Sequence, residues 1–190
     1  MDLRAKWNAR YRDLEPDAAR PAQVLSENLH LLAAAGGALD LACGLGGNAL
    51  LLARHGLNVC AYDLSIVAVD KLNAYAQRQG LSLRAQCRDV QKAPPEPERF
   101  DVLVVSYFLA RELTDYLIDT LRPGGLLFYQ TFIRDHVDAV GPSNPAFRLE
   151  SNELLKLFAP LKLVFYREEG RIGDISRGFR NEAMLIGQKR

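Results

Sequence analysis

The sequence is poor in the residues from which metal and redox sites are made. Its 190 residues include three cysteines, Cys43, Cys60 and Cys87, and three histidines, His30, His55 and His136. An odd number of cysteines without a Cys-x-x-Cys pair excludes a disulfide framework and points to a reducing compartment. The histidines and cysteines fall at no recognised ligand spacing, so no metal is expected. Charge of one sign is not in excess either: 24 Lys+Arg stand against 23 Asp+Glu, a formal net charge of +1. That balance excludes a strongly basic nucleic-acid binder and gives no reason to expect a membrane-surface partner. Long apolar runs are also missing. The most apolar stretch, residues 28–39, lies between Glu27 and Asp40 and is too short to span a bilayer. Met1-Asp2-Leu3-Arg4 runs into mixed charge with no apolar export segment, so the cytoplasm is the expected location. The remaining composition, 48% apolar and 25% charged, is that of one soluble globular domain.

Strand-like and helix-like segments alternate along the chain. Strands are predicted over residues 39–42, 58–62, 81–87, 100–106 and 125–132, and helices over 47–54, 65–79 and 108–121. Val102-Leu103-Val104-Val105 and Leu126-Leu127-Phe128-Tyr129 are continuous apolar runs, as parallel strands covered on both faces require. Residues 81–87 instead alternate apolar with polar, which places that strand nearer an edge. Ser65 is a plausible cap for the second helix, and Pro123-Gly124-Gly125 a turn into the fifth strand. Residues 2–33 read as a helical cover broken by Pro16 and Pro21. An irregular stretch, 133–149, follows the fifth strand, and then a short helix over 152–158. Two β-like runs, 161–167 and 182–188, leave no room for a crossover helix and should pair antiparallel. Repeated βα units predict an α/β fold, a single-domain three-layer sandwich around a mostly parallel sheet. Its parts would be an N-terminal cover (1–34), a core (35–132) and a final segment with the strand pair (133–190).

The most informative stretch is Asp40-Leu41-Ala42-Cys43-Gly44-Leu45-Gly46-Gly47-Asn48-Ala49, where a buried strand ends in glycines and a helix opens. Without Cβ atoms at Gly44 and Gly46 the backbone can turn sharply and lie close to a ligand, and the helix presents free N–H groups to it. Asp63 ends the next strand 19 residues after Gly44, where a carboxylate can accept from both hydroxyls of a ribose. Asp89 ends the third strand and could accept from the amine of an adenine, with Val90 covering the ring. Each acid also has a plain reading, Asp63 as a helix cap and Asp89 as a turn residue. Three acids at three consecutive strand ends, on the edge where α/β sheets bind ligands, favour a nucleoside. Gly44-x-Gly46-x-x-Ala49 with Asp63 would also fit a nicotinamide dinucleotide and an oxidoreductase. Against that stand the negative Asp40 ahead of a phosphate loop and the lack of a Tyr-x-x-x-Lys pair. A non-catalytic binding module is a further alternative.

Asp40-Leu41-Ala42-Cys43-Gly44-Leu45-Gly46 resembles the D-x-[GA]-x-G-x-G loop of class I S-adenosylmethionine-dependent methyltransferases. Leu121-Arg122-Pro123-Gly124-Gly125 is similar to their turn into the fifth strand, and Phe100-Asp101-Val102-Leu103 to the start of their fourth. Trp7-Asn8-Ala9-Arg10-Tyr11 and Leu149-Glu150-Ser151-Asn152-Glu153-Leu154-Leu155 resemble elements of the thiopurine and tellurite-resistance group. Arg167-Glu168-Glu169-Gly170, after the sixth strand, lacks the histidine of the tellurite enzymes. The resemblance implies a Rossmann-like seven-stranded sheet of order 3-2-1-4-5-7-6 with strand 7 antiparallel. It also implies S-adenosylmethionine as cofactor, S-adenosylhomocysteine as product and a small-molecule acceptor, with neither nucleic acid nor membrane as partner. Asp40 would then face the methionyl amine, Ala42, Gly44 and Gly46 would form the loop beneath it, and Asp63 would hold the ribose. Leu64, Asp89 and Val90 would meet the adenine, and Ser106 and Tyr107 would border the sulfonium. Trp7 and Tyr11 would close the pocket, an aromatic face being attractive to a sulfonium as to other cations.

On the acceptor side, Tyr107, Phe132, Arg134, His136, Asn144, Phe147 and Arg148 lie in segments expected above the sheet. Tyr107 or His136 could serve as a base. Residues 161–190 carry seven Lys/Arg against four acids, an excess that would suit an anionic acceptor or simply a solvated hairpin.

Overall fold

A computed structural model describes residues 2–190 of the chain. Seven strands form one sheet: β1 Gly37–Leu41, β2 Asn58–Asp63, β3 Leu83–Cys87, β4 Phe100–Ser106, β5 Leu121–Phe132, β6 Lys162–Glu168 and β7 Glu182–Gln188. Their order is β3-β2-β1-β4-β5-β7-β6. The first five strands pair in parallel, and β7 runs antiparallel to both β5 and β6. This is the Rossmann-like arrangement expected from the sequence, with β3 at one edge.

Successive strand residues point to opposite faces of a sheet, and here both faces are apolar. Ala38, Val102, Val104, Phe128, Met184 and Ile186 face one layer, where α3 Gly47–Arg54, α4 Ile66–Arg78 and residues 22–25 cover them. Leu39, Leu41, Leu103, Val105, Leu127 and Leu185 face the other, under α5 Thr114–Thr120 and α6 Glu153–Leu157. Ser65 caps α4 as expected, its Oγ accepting from the Ala68 N–H at 3.2 Å.

The N-terminal cover comprises α1 Leu3–Tyr11, α2 Gln23–Ser26 and two 3-10 turns, Pro16–Ala18 and Leu29–Leu31. Pro16 starts a turn rather than breaking one, since the first helical position needs no N–H donor. Lys71 of α4 ties the cover down: its Nζ donates to the Arg12 and Leu14 carbonyls, each at 2.7 Å, and pairs with Glu15 at 2.9 Å.

The structure corrects the helix expected over 108–121. The chain leaves β4 through Tyr107 at φ 56°, residues 108–110 are irregular with Ala110 extended, and only a 3-10 turn, Arg111–Leu113, and the short α5 form. Tyr129 fixes this exit by donating its hydroxyl to the Phe108 carbonyl at 2.7 Å. At the other end Leu121 pairs with Phe100, which extends β5 back to Leu121, four residues before the expected start, with a bulge before Val102. Likewise β3 begins at Leu83 rather than 81, because the Leu81 N–H is held by the Ala76 carbonyl.

The opening of α3 touches the cover directly. A Cβ on Gly47 would stand 2.3 Å from the Arg20 carbonyl oxygen, a backbone atom with no rotamer to move. Gly47→Ala should therefore lower stability by about 1–3 kcal/mol and render residues 12–26 more sensitive to protease. Urea unfolding and limited proteolysis indistinguishable from those of the unaltered chain would contradict that packing.

Candidate functional site

The glycine turn after β1 is built by backbone that only small residues allow. Gly44 and Gly46 have φ of 53° and 82°. A Cβ on Gly44 would lie 2.7 Å from the Tyr11 hydroxyl, and one on Gly46 2.5 Å from Leu72. Two carboxylates bracket the turn. Asp40 is fully buried, Oδ1 accepting from Asn48 Nδ2 at 3.2 Å and Oδ2 from the Ala49 N–H in the first turn of α3 at 3.0 Å. Asp63 is also buried; Oδ2 accepts from the Gly44 N–H at 2.7 Å and Oδ1 from the Ser65 N–H at 2.8 Å. Burial outweighs these hydrogen bonds, raising both pKa values, that of Asp40 to about 7.

The N-terminal helix closes over this turn. Tyr11 carries its hydroxyl onto Gly44, and burial together with the charge of Asp63 raises its pKa. Trp7 stacks on Tyr11 with centroids 5.9 Å apart, and Asn8 accepts from Ser65 Oγ at 2.7 Å. The expected Trp7, Tyr11, Asp40, Ala42, Gly44, Gly46 and Asp63 thus converge at the carboxyl ends of β1 and β2. Leu64 follows, its carbonyl accepting from Cys87 Sγ.

Asp89 follows β3, and the residue before it donates its N–H to the Asp63 carbonyl at 2.8 Å. Asp89 itself accepts from the Gln91 N–H at 3.3 Å and pairs with Lys92 at 3.4 Å, in the manner of a turn residue beyond β3. Val90 is buried in the same apolar cluster as Leu39, Leu41 and Tyr62.

Two buried amides carry the site across the sheet. Asn48 Oδ1 accepts from the Ala22 N–H at 2.8 Å while Nδ2 donates to Asp40 and, at 2.9 Å, to Ser106 Oγ. Gln130 Oε1 accepts from the Val24 N–H at 2.7 Å while Nε2 donates to Glu182 at 2.6 Å and to the Tyr107 hydroxyl at 3.3 Å. Asp40, Ser106, Gln130 and Glu182 belong to the adjacent strands β1, β4, β5 and β7. They form one polar row, roofed by residues 22–24.

A cleft of about 500 Å³ opens at the far end of this row, lined by Gln23, Tyr107, Gln130, Glu182 and the β6–β7 loop from Ile175 to Asn181. Tyr107 is half exposed, with its ring 5.2 Å from Phe132. Of the two candidate bases, only Tyr107 lines the cleft. His136 lies in the segment after β5; its carbonyl accepts from Arg171, and its Nδ1 is buried without a partner among the described residues. That segment folds around Arg148, whose buried guanidinium donates to the Ile133, Val140 and Pro142 carbonyls. Arg134 pairs with Glu150 and Asn144 caps a 3-10 turn, so these serve the loop's own structure. The C-terminal basic excess is largely spent internally too. Arg167 pairs with Glu169, Arg180 holds five loop carbonyls, and Lys189 donates to the Asp119 and Leu121 carbonyls.

The sequence reading missed Asn48, Gln130 and Glu182. A signal existed for Gln130, a lone amide between Tyr129 and Thr131 in a strand buried on both faces. Glu182 becomes part of the site only through its pairing opposite Phe132 in the antiparallel ladder.

Comparison with known proteins points the same way. Residues 38–125 match the family described as a methyltransferase domain. Over 107 residues the chain is 30% identical to the ubiquinone biosynthesis O-methyltransferase of Coxiella burnetii, covering 51% of this chain and 44% of that protein. It is 31% identical over 138 residues to hemagglutinin 1 of Eikenella corrodens, covering 68% of this chain and 45% of the relative. The chain therefore spans less than half the length of either relative. Among solved structures, TehB from Haemophilus influenzae superposes with a TM-score of 0.74 at 18% identity, over 97% of this chain and 67% of TehB, which shows a shared fold.

The raised pKa of Asp40 has a consequence for stability. An acid whose pKa rises on folding, here from 3.8 to about 7, favours the folded state while protonated. That contribution is complete below about pH 4 and lost as pH rises through about 7, on the order of 4 kcal/mol in all. Asp40→Asn should remove this loss, so its advantage over the unaltered chain in urea unfolding should grow between pH 4 and pH 8. A constant difference across that range would show that Asp40 is ionised throughout.

Proposed function

We propose that this chain, whose residues 38–125 match the methyltransferase-domain family, is a class I S-adenosylmethionine-dependent methyltransferase that transfers a methyl group to a small-molecule acceptor. The observation that carries the proposal is the pair of buried carboxylates, Asp40 and Asp63, on either side of a turn whose Gly44 and Gly46 have positive φ and are closely covered by Tyr11 and Leu72. These residues fit the cofactor. Asp40 is a neutralisable carboxyl beside an α-helix N-terminus, suited to receive the cationic amine of the methionyl moiety. Each oxygen of Asp63 has one protein donor and keeps a lone pair for a ribose hydroxyl. The close approach of Tyr11 to Gly44 places an aromatic wall where the methionyl chain would pass, and Trp7 backs it. Ser106 and Tyr107, at the end of β4, would border the sulfonium. Leu64 would lie against the adenine, with Asp89 and Val90 at its rim.

S-adenosylmethionine brings a methyl on a positively charged sulfur, already a good leaving group. The protein's task is then placement, and holding the acceptor atom about 3–3.5 Å from the methyl can supply on the order of 7–11 kcal/mol of the barrier. That task needs neither triad nor metal. The N-terminal cover and the row from Asp40 to Glu182 join the cofactor side to a cleft large enough for a small acceptor. A cytoplasmic location is supported by the three free cysteines, and the near-zero net charge weighs against nucleic acid as acceptor.

Calorimetry should show saturable binding of S-adenosylhomocysteine and no binding of NADH. Asp63→Ala should weaken S-adenosylhomocysteine binding by about 10- to 100-fold, the loss of one or two charge-assisted hydrogen bonds. Because Asp63 also braces Gly44, thermal unfolding must confirm that the variant remains folded. A folded variant with unchanged affinity would remove Asp63 from the ribose site, and silence from the unaltered chain would end the proposal.

A further inference from the structure

The cleft contains a carboxylate that the cofactor does not need. Glu182 opens β7 and is half-buried, and its Oε2 accepts from Gln130 Nε2 at 2.6 Å. The same Nε2 donates to the Tyr107 hydroxyl at 3.3 Å. Both residues line the cleft, and Tyr107 directly follows Ser106, which Asn48 ties to Asp40. The proton-accepting groups therefore stand next to the end of β4, where the cofactor side meets the acceptor side.

The hydrogen-bond directions in this network are fixed from outside. The Val24 N–H can only donate, so Gln130 must turn its carbonyl toward Val24 and its amine toward Glu182 and Tyr107. Tyr107 then accepts from Gln130, and its own proton is free to point at the Glu182 carboxylate. Resting on the methyltransferase reading above, we infer that Glu182, with Tyr107 beside it, takes the proton of a small protic acceptor, a hydroxyl, thiol or amine, as the methyl is transferred. The acceptor's lone pair forms the bond to the methyl carbon and the carbon–sulfur bond breaks with its electron pair going to sulfur. The acceptor's proton passes to Glu182, either directly or by Tyr107 giving its proton to Glu182 and taking the acceptor's. The positive charge of the sulfonium and the negative charge of the carboxylate disappear together, so the step balances without a further reactant. An acceptor that arrives as an oxyanion, such as selenite, would need no such group and would meet the negative charge of Glu182.

The electrostatics support this division of roles. Burial and the neighbouring Glu182 push the Tyr107 hydroxyl up to about 12, so Tyr107 stays protonated and cannot act alone as a base. Burial raises Glu182 above the usual carboxylate range against the hydrogen bonds from Gln130 and Tyr107, making it a stronger proton acceptor than an exposed glutamate. The other charged groups lining the cleft are Arg177 and Arg180 of the β6–β7 loop and Asp138 after β5. Arg180 is committed to the Glu169, Gly170, Ile172, Asp174 and Arg177 carbonyls and pairs with the Glu169 carboxylate, and Asp138 accepts from Asn181 at 3.0 Å. Arg177 makes no ion pair among the described residues and is the one cation free to follow the charge of Glu182 or of an acceptor.

The test has two readouts. Difference infrared spectra of the unliganded chain against Glu182→Gln should contain a carboxyl band that titrates above the ordinary carboxylate range. Tyr107→Phe should move that midpoint further up. Separately, methyl-tritiated S-adenosylmethionine is offered with catechol, ethanolamine, 2-mercaptoethanol or sodium selenite. The expected result is labelling of at least one protic probe, a 10²- to 10⁴-fold lower rate in Glu182→Gln, loss of the acid limb of the pH–rate profile, and unchanged S-adenosylhomocysteine affinity. Equal rates in the two proteins, labelling of selenite alone, or labelling of none of the probes would overturn the assignment, as would the absence of the titrating band. Failure of the unaltered chain to bind S-adenosylhomocysteine would instead strike the methyltransferase reading, whatever the infrared titration shows.

Discussion

Two buried side-chain amides, Asn48 and Gln130, determine how the parts of this molecule meet. Each spends its single carbonyl on a backbone N–H of the N-terminal cover, Ala22 for one and Val24 for the other. That choice leaves each amine facing the sheet, where it holds a carboxylate and a hydroxyl: Asp40 and Ser106, or Glu182 and Tyr107. An amide buried this deeply cannot leave a partner unmade without a cost of about 1–3 kcal/mol. The cover, the glycine turn and the cleft beside Glu182 are consequently one bonded system, although residues from 22 to 182 contribute to it.

The same constraint explains how opposite chemical demands coexist on one sheet face. Apolar side chains from β1, β4, β5 and β7 fill the face beneath α3 and α4, yet a polar row crosses it near the carboxyl ends of the parallel strands. The row is affordable because every member has a partner, and the groups that remain titratable, Asp40 and Glu182, lie at its two ends. One end suits a cation brought by a cofactor and the other suits a proton released by an acceptor. The family match over residues 38–125 covers the first end and stops well short of the second.

Most of the fold was legible because continuous apolar runs bounded by turn residues are a local signal. Val102 to Val105 and Leu126 to Tyr129 announce buried strands whatever surrounds them, and the glycines after Asp40 announce the turn from β1 into α3. The helix expected over 108–121 failed because its obstacle, the left-handed conformation of Tyr107, leaves no mark in residue type. Asp89 was grouped with the other acids by position along the chain, and the structure shows its local partners to be Gln91 and Lys92. Glu182 could not be found by local reading at all. Its role depends on the antiparallel ladder that sets it opposite Phe132 and brings it under Gln130.

The central claim is that one continuous polar row joins a cofactor end at Asp40 to an acceptor end at Glu182. A crystal structure of the chain with S-adenosylhomocysteine tests it most directly. The account predicts the amino group at Asp40, the ribose at Asp63, and the sulfur beside Ser106 and Tyr107, pointing toward the cleft. A nucleoside bound elsewhere, or a sulfur turned away from Tyr107, would contradict it.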